Sequence, residues 1–199
     1  MQVLDPRLRG DDIVRGDDIV RGDDKSLILG YNSHMNKYTI IGILAIGFLS
    51  RLIPHMWNFT PVLALALFAG IHLPKKQMFL VPLALMFMSD IFLGIYPGIL
   101  FTWVAVLGSV CVGLLLRENR TLLKLTLGGF GAALVFFFIS NLGVWVFQYP
   151  KTVTGLSNCY MMAIPFFRNT LFSTICYSIV LVGGYDWVLN RIVVRQVAK

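Results

Sequence analysis

The chain has 199 residues, 57% of them hydrophobic and 14% charged, with a mean hydropathy of +0.74 and a formal net charge of +7. Soluble domains carry about 25% charged residues, so this composition excludes an ordinary soluble fold and points to a membrane. The positive balance is no nucleic-acid signature, because the bases lie in short loops between apolar runs, where membrane topology accounts for them.

Residues 1–34 differ from the rest. They hold five bases and seven acids, whereas residues 35–199 hold twelve bases and only three acids, Asp90, Glu118 and Asp186. A six-residue period runs through Arg9-Gly-Asp-Asp-Ile-Val, Arg15-Gly-Asp-Asp-Ile-Val and Arg21-Gly-Asp-Asp. It has no amphipathic pattern and cannot build a core, so a disordered tail is expected. The Arg-Gly-Asp triplets follow automatically from the period and are not read as an adhesion motif. The paired aspartates lack the glycine and apolar spacing of calcium-binding repeats. This stretch resembles translated bacterial intergenic palindromic repeats, which leads to the expectation that synthesis begins at Met35.

A membrane-spanning helix needs about 20 mainly apolar residues. In chain order, the predicted spans are 38–53, 59–73, 77–95, 98–116, 125–148 and 164–189. The second is short, which calls for tilting, burial by neighbours or a re-entrant path. The first could be a signal peptide, but no small-x-small cleavage site follows it and Arg51 does, so a retained helix is preferred. The fold class expected is therefore an all-α integral membrane protein, a bundle of about six transmembrane helices over residues 35–199. Loop charges orient it: nine bases (Lys37, Lys75, Lys76, Arg117, Arg120, Lys124, Arg191, Arg195 and Lys199) fall on one side, against Arg51 and Lys151 on the other. The basic side is the inside, which puts both termini in the cytoplasm and the protein in the bacterial inner membrane, in contact with lipid.

Small residues four apart (Ala66 and Gly70, Ser109 and Gly113, Gly128 and Ala132, Gly129 and Ala133) allow close helix packing. Packing inside one bundle is the preferred reading. A docking face for another subunit, through Ala66 and Gly70, is the alternative. Cys111, Cys159 and Cys176 have no metal-ligand spacing and are expected to be small buried hydrophobes.

Polar groups in hydrocarbon are costly and usually functional. Asp90, Asn141, Arg168 and Asn169 interrupt otherwise apolar spans, all toward the outer side. Asp90 needs a partner; Arg168 is the first candidate and Arg51 the second. Arg51, His55, Trp57 and Asn58 cluster at the outer end of the first span. Asn141 and Trp145 share a helix face. The segment 148–163, with Tyr149, Asn158 and Tyr160, is expected to be a loop long enough to close over a pocket. No phosphate-binding loop, HExxH or GxSxG occurs, so neither catalysis nor a cofactor or metal site is expected.

The segments Arg51-Leu-Ile-Pro-His-x-Trp-Asn-Phe-Thr-Pro, Ser89-Asp90-x-Phe-Leu-Gly, Ser140-Asn-Leu-Gly-Val-Trp145, Gly155-Leu-x-x-Cys-Tyr160 and Ala163-Ile-Pro-Phe-Phe-Arg-Asn-Thr-Leu171 resemble a family of uncharacterised bacterial membrane proteins described as transport proteins. That family is similar in architecture to the substrate-binding S components of energy-coupling factor (ECF) transporters. The resemblance covers Met35 to about Trp187. It implies a six-helix subunit that captures a small micronutrient-like solute from outside and works with an ECF-type transmembrane coupling subunit and ATPases. The substrate-binding residues are then Arg51, His55, Asn58, Asp90, Asn141, Trp145, Arg168 and Asn169. A Gly-Asp pair expected after Asn169-Thr-Leu is replaced by Phe172-Ser-Thr. A non-transport scaffold of the cell-envelope machinery gives no role to a buried Asp90 and Arg168, and a membrane enzyme lacks a nucleophile or metal set.

Overall fold

The computed structural model describes residues 37–52 and 58–197, with side chains for 40–52, 58–189 and 191. The repeat tail, His55 and Trp57 lie outside the described residues. Every regular element among those described is helical: α1 (Lys37–Leu52), α2 (Val62–His72), α3 (Gln77–Leu93), α4 (Ile99–Leu115), α5 (Leu122–Gln148), α6 (Val153–Ser178), a π-helical turn (Ile179–Gly183) and α7 (Gly184–Val197). The last three are continuous, so the described residues form six helical rods.

Short connections between packed helices make neighbours antiparallel. The end of α1, the start of α2 and the turns 94–98 and 149–152 therefore gather at one end of the bundle. The turns 73–76 and 116–121 gather at the other, with α7.

Helix α2 is the axis of the bundle. Its sequence is apolar on every side, the pattern of a wholly enclosed helix, and all eleven residues from Val62 to His72 are buried. It packs against every other rod. Pro61 precedes it, where a missing N–H costs nothing, and accepts the first helical bond from Leu65 N at 2.8 Å. Its tightest crossing is with α4: a Cβ on Gly70 would overlap the Val110 carbonyl oxygen, and one on Gly113 would overlap that of Leu67. The small residues thus serve packing within the chain. Ala66 and Gly70 are buried, which removes them as a docking face for another subunit.

Two helices, Leu122–Gln148 and Val153–Leu189, are long and apolar enough to cross a membrane. Only 28% and 22% of their most apolar windows are buried, so most of their hydrophobic side chains are not enclosed in a core. Ile40–Leu52, Val62–His72, Gln77–Leu93 and Ile99–Leu115 are apolar but shorter.

One predicted boundary is corrected. The segment expected to be a loop over 148–163 is helical from Val153, leaving only a short turn. Thr152 caps the helix by accepting from Gly155 N at 3.0 Å. Pro165, near the start of the predicted sixth span, sits inside α6. A lid built from this segment is therefore ruled out, and Asn158 and Tyr160 lie on the helix. Cys111 is also corrected, because it is exposed on α4, whereas Cys159 is buried.

Candidate functional site

Arg51 occupies the last turn of α1 and reaches across to α3. Its Nη2 donates to Asp90 Oδ1 at 2.6 Å, and its Nη1 donates to Ser89 Oγ and contacts Met86 Sδ at 3.3 Å. The second carboxylate oxygen, Asp90 Oδ2, accepts from Trp103 Nε1 on α4 at 2.7 Å. Asp90 is 2% exposed, and both of its oxygens are occupied by fixed donors. A buried carboxylate is tolerable only with such compensation.

This geometry corrects the expected partner. Arg51 holds Asp90, and Arg168 does not. Helix α3 packs on α1, α2 and α4, so the end of α1 is within reach of Asp90, while Arg168 on α6 is exposed.

Above the ion pair lies a cavity of about 350 Å³ whose polar wall is Arg51, Asn58, Thr60, Tyr96 and Thr102. Met86, Val106 and Phe136 supply apolar wall. Tyr96 donates its hydroxyl to Thr102 Oγ1 at 2.9 Å. Burial pushes the Tyr96 phenol above its ordinary value, Asp90 adds to this, and the Thr102 bond and Arg51 oppose it. The phenol is therefore a neutral donor at physiological pH.

A second cavity, of about 170 Å³, shares Asn58 and Phe136 with the first and extends between α5 and α6. It is lined by Phe137, Phe166 and Phe167, together with Ser140, Asn141 and Thr170. Asn58, at the junction, has φ of 59°, a left-handed backbone that asparagine adopts more readily than most side chains.

Arg51 and Asn58 thus line the larger cavity, Asn58 and Asn141 the smaller, and Asp90 stands behind Arg51. Trp145 does not join them: its Nε1 donates to Pro150 O at 3.0 Å and Lys151 lies over its ring, which fastens the turn after α5. Arg168 and the half-buried Asn169 line neither cavity. His55 lies outside the described residues. Sequence reasoning missed Trp103, Tyr96, Thr60 and Thr102. Trp103 had a readable signal, since it and Asp90 lie within one residue of the same distance from the turn joining α3 and α4, and an antiparallel hairpin sets such residues near each other.

The opposite end carries a second polar cluster that the sequence did not reveal. His72 Nε2 lies 2.8 Å from Asp186 Oδ1 and 2.9 Å from Arg120 Nη1, and Arg120 Nη1 donates to Asp186 Oδ1 at 3.0 Å. Arg117 Nη2 donates to the carbonyls of Gly70 at 2.9 Å and Leu73 at 2.6 Å, closing the end of α2. Among the described residues, no three His, Cys, Asp or Glu side chains come together as metal ligands.

A family model described as a family of unknown function (DUF6580) matches residues 32–196. The chain belongs to that family. The DUF6580 match takes in all six rods, both cavities and both polar clusters. No curated protein and no solved structure matches the chain.

Proposed function

We propose that this DUF6580 protein is a multi-pass protein of the bacterial inner membrane that captures a small solute from the outer face. In this reading it serves as a solute-binding subunit, energised by partner subunits of the kind that ECF transporters use. All six rods would lie in the membrane, the four shorter ones seated beside α5 and α6. The outward-facing apolar side chains support insertion, since so much of their surface is left uncovered by the chain; Leu80, Phe92, Leu100, Leu115, Phe138 and Phe172 are each at least 55% exposed. The loop charges support the orientation. Lys75, Lys76, Arg117, Arg120 and Lys124 share the end of the bundle opposite the cavities, so the cavity end is the outer one.

One observation carries the functional reading. A guanidinium, fixed by a buried carboxylate and a buried serine, forms part of the wall of a cavity in the size range of small-molecule sites, about 300–1,000 Å³. A scaffold has no use for a charged group held at such cost beside an open volume.

Native mass spectrometry of the full chain, purified in mild detergent from its own host, tests the reading. A Thr60→Trp variant serves as comparison, because it places an indole in the larger cavity and leaves the Arg51–Asp90 pair untouched. The wild type is expected to carry about one host molecule per chain, and the variant none. A bare wild type, or the same molecule on both, would contradict solute binding at this cavity.

A further inference from the structure

We infer that the solute is a small aromatic carboxylate, its acid group at Arg51 and its ring in the phenylalanine-lined second cavity; this rests on the solute-binding reading above. The larger cavity has one charged group in its described wall, the Arg51 guanidinium. Its counter-ion, Asp90, does not line the cavity and has both oxygens engaged by Arg51 and Trp103. A cationic head would therefore meet a guanidinium and find no free carboxylate. An acceptor head meets Arg51 and the donors of Asn58, Thr60 and Thr102, whose hydroxyl accepts from Tyr96 and can still donate its own proton.

The second cavity has a different chemistry. Ser140 and Thr170 donate their hydroxyl protons to their own helices, at the carbonyls of Phe136 (2.6 Å) and Phe166 (3.0 Å). Asn141 Nδ2 likewise donates to Phe137 O at 2.8 Å. What remains is aromatic wall with few donors to offer, which suits an apolar ring and not a second acid group. Its volume, about 170 Å³, fits one ring, since a dry apolar cavity of about 150 Å³ takes benzene. Because Asn58 and Phe136 belong to both cavities, one molecule can occupy the two together.

Titrating the full chain in lipid nanodiscs with 3-phenylpropionate, propionate and 3-phenylpropylamine tests this. The aromatic acid is expected to bind at least about tenfold more tightly than propionate, which lacks the ring, and than the amine, which reverses the charge. Val144 also lines the second cavity, and Val144→Trp, which fills it, is expected to erase the advantage over propionate while leaving propionate binding unchanged. Equal affinities for acid and amine, no gain from the ring, or a gain that survives Val144→Trp would overturn the inference. If the host molecule is lost from Thr60→Trp but 3-phenylpropionate shows no preference, the inference fails and the solute-binding reading stands. If the wild type holds neither, both fail.

Discussion

Asp90→Ala is expected to destabilise the protein by about 3–5 kcal/mol, the usual cost of stripping one partner from a buried ion pair. The cost arises because Arg51, 14% exposed at its side chain, loses its counter-charge while Trp103 Nε1 loses its acceptor. Thermal or denaturant unfolding in detergent measures it. Replacing both charges by apolar groups, as in Arg51→Met with Asp90→Leu, should restore much of the stability, since no uncompensated charge is left. The double variant should still fail to bind solute, because the guanidinium in the cavity wall is gone. Stability unaffected by Asp90→Ala would mean that the pair is not formed as described. Stability and binding both restored in the double variant would detach Arg51 from the site.

Arg117→Ala is expected to cost about 2–6 kcal/mol, from two enclosed carbonyls each worth about 1–3 kcal/mol when left unmet. Gly70 and Leu73 are both buried at the end of α2, and no water can easily replace the guanidinium there. Because α2 touches every other rod, the loss should be felt as global unfolding rather than local fraying. The melting temperature of the purified variant tests this. An unchanged value would show that the end of α2 is satisfied in some other way.

Hydropathy made most of the fold readable. The first five rods begin and end within three residues of the predicted spans, because each is bounded by charge, proline or glycine. The sixth was misjudged at its start, where Gly155, Ser157, Asn158 and Pro165 carry loop-like composition. Thr152 supplies the cap that composition does not weigh, and α6 absorbs its proline. The site was readable in part. Polar residues inside apolar runs singled out Asp90 and Asn141, and the polar cluster ending the first run singled out Arg51 and Asn58; the fold does bring these four to one end of the bundle. It could not say which arginine serves Asp90, since that depends on which helices are neighbours and not on depth alone. Nor could it separate Trp145, which secures its own turn, from a ligand contact. The cluster of His72, Arg120 and Asp186 stayed hidden because its members read singly as a helix-end histidine, a loop base and a stray acid.

Capture of a solute from outside requires the cavity end of the bundle to face outward. Single cysteines at Tyr96, in the cavity wall, and at Lys76, in the turn at the opposite end, can be placed in a full chain with Cys111, Cys159 and Cys176 replaced. Intact cells are then treated with a membrane-impermeant maleimide. Tyr96→Cys is expected to label in intact cells, and Lys76→Cys only after the membrane is broken. The reverse pattern would place the cavity on the cytoplasmic side and contradict capture of a solute from outside.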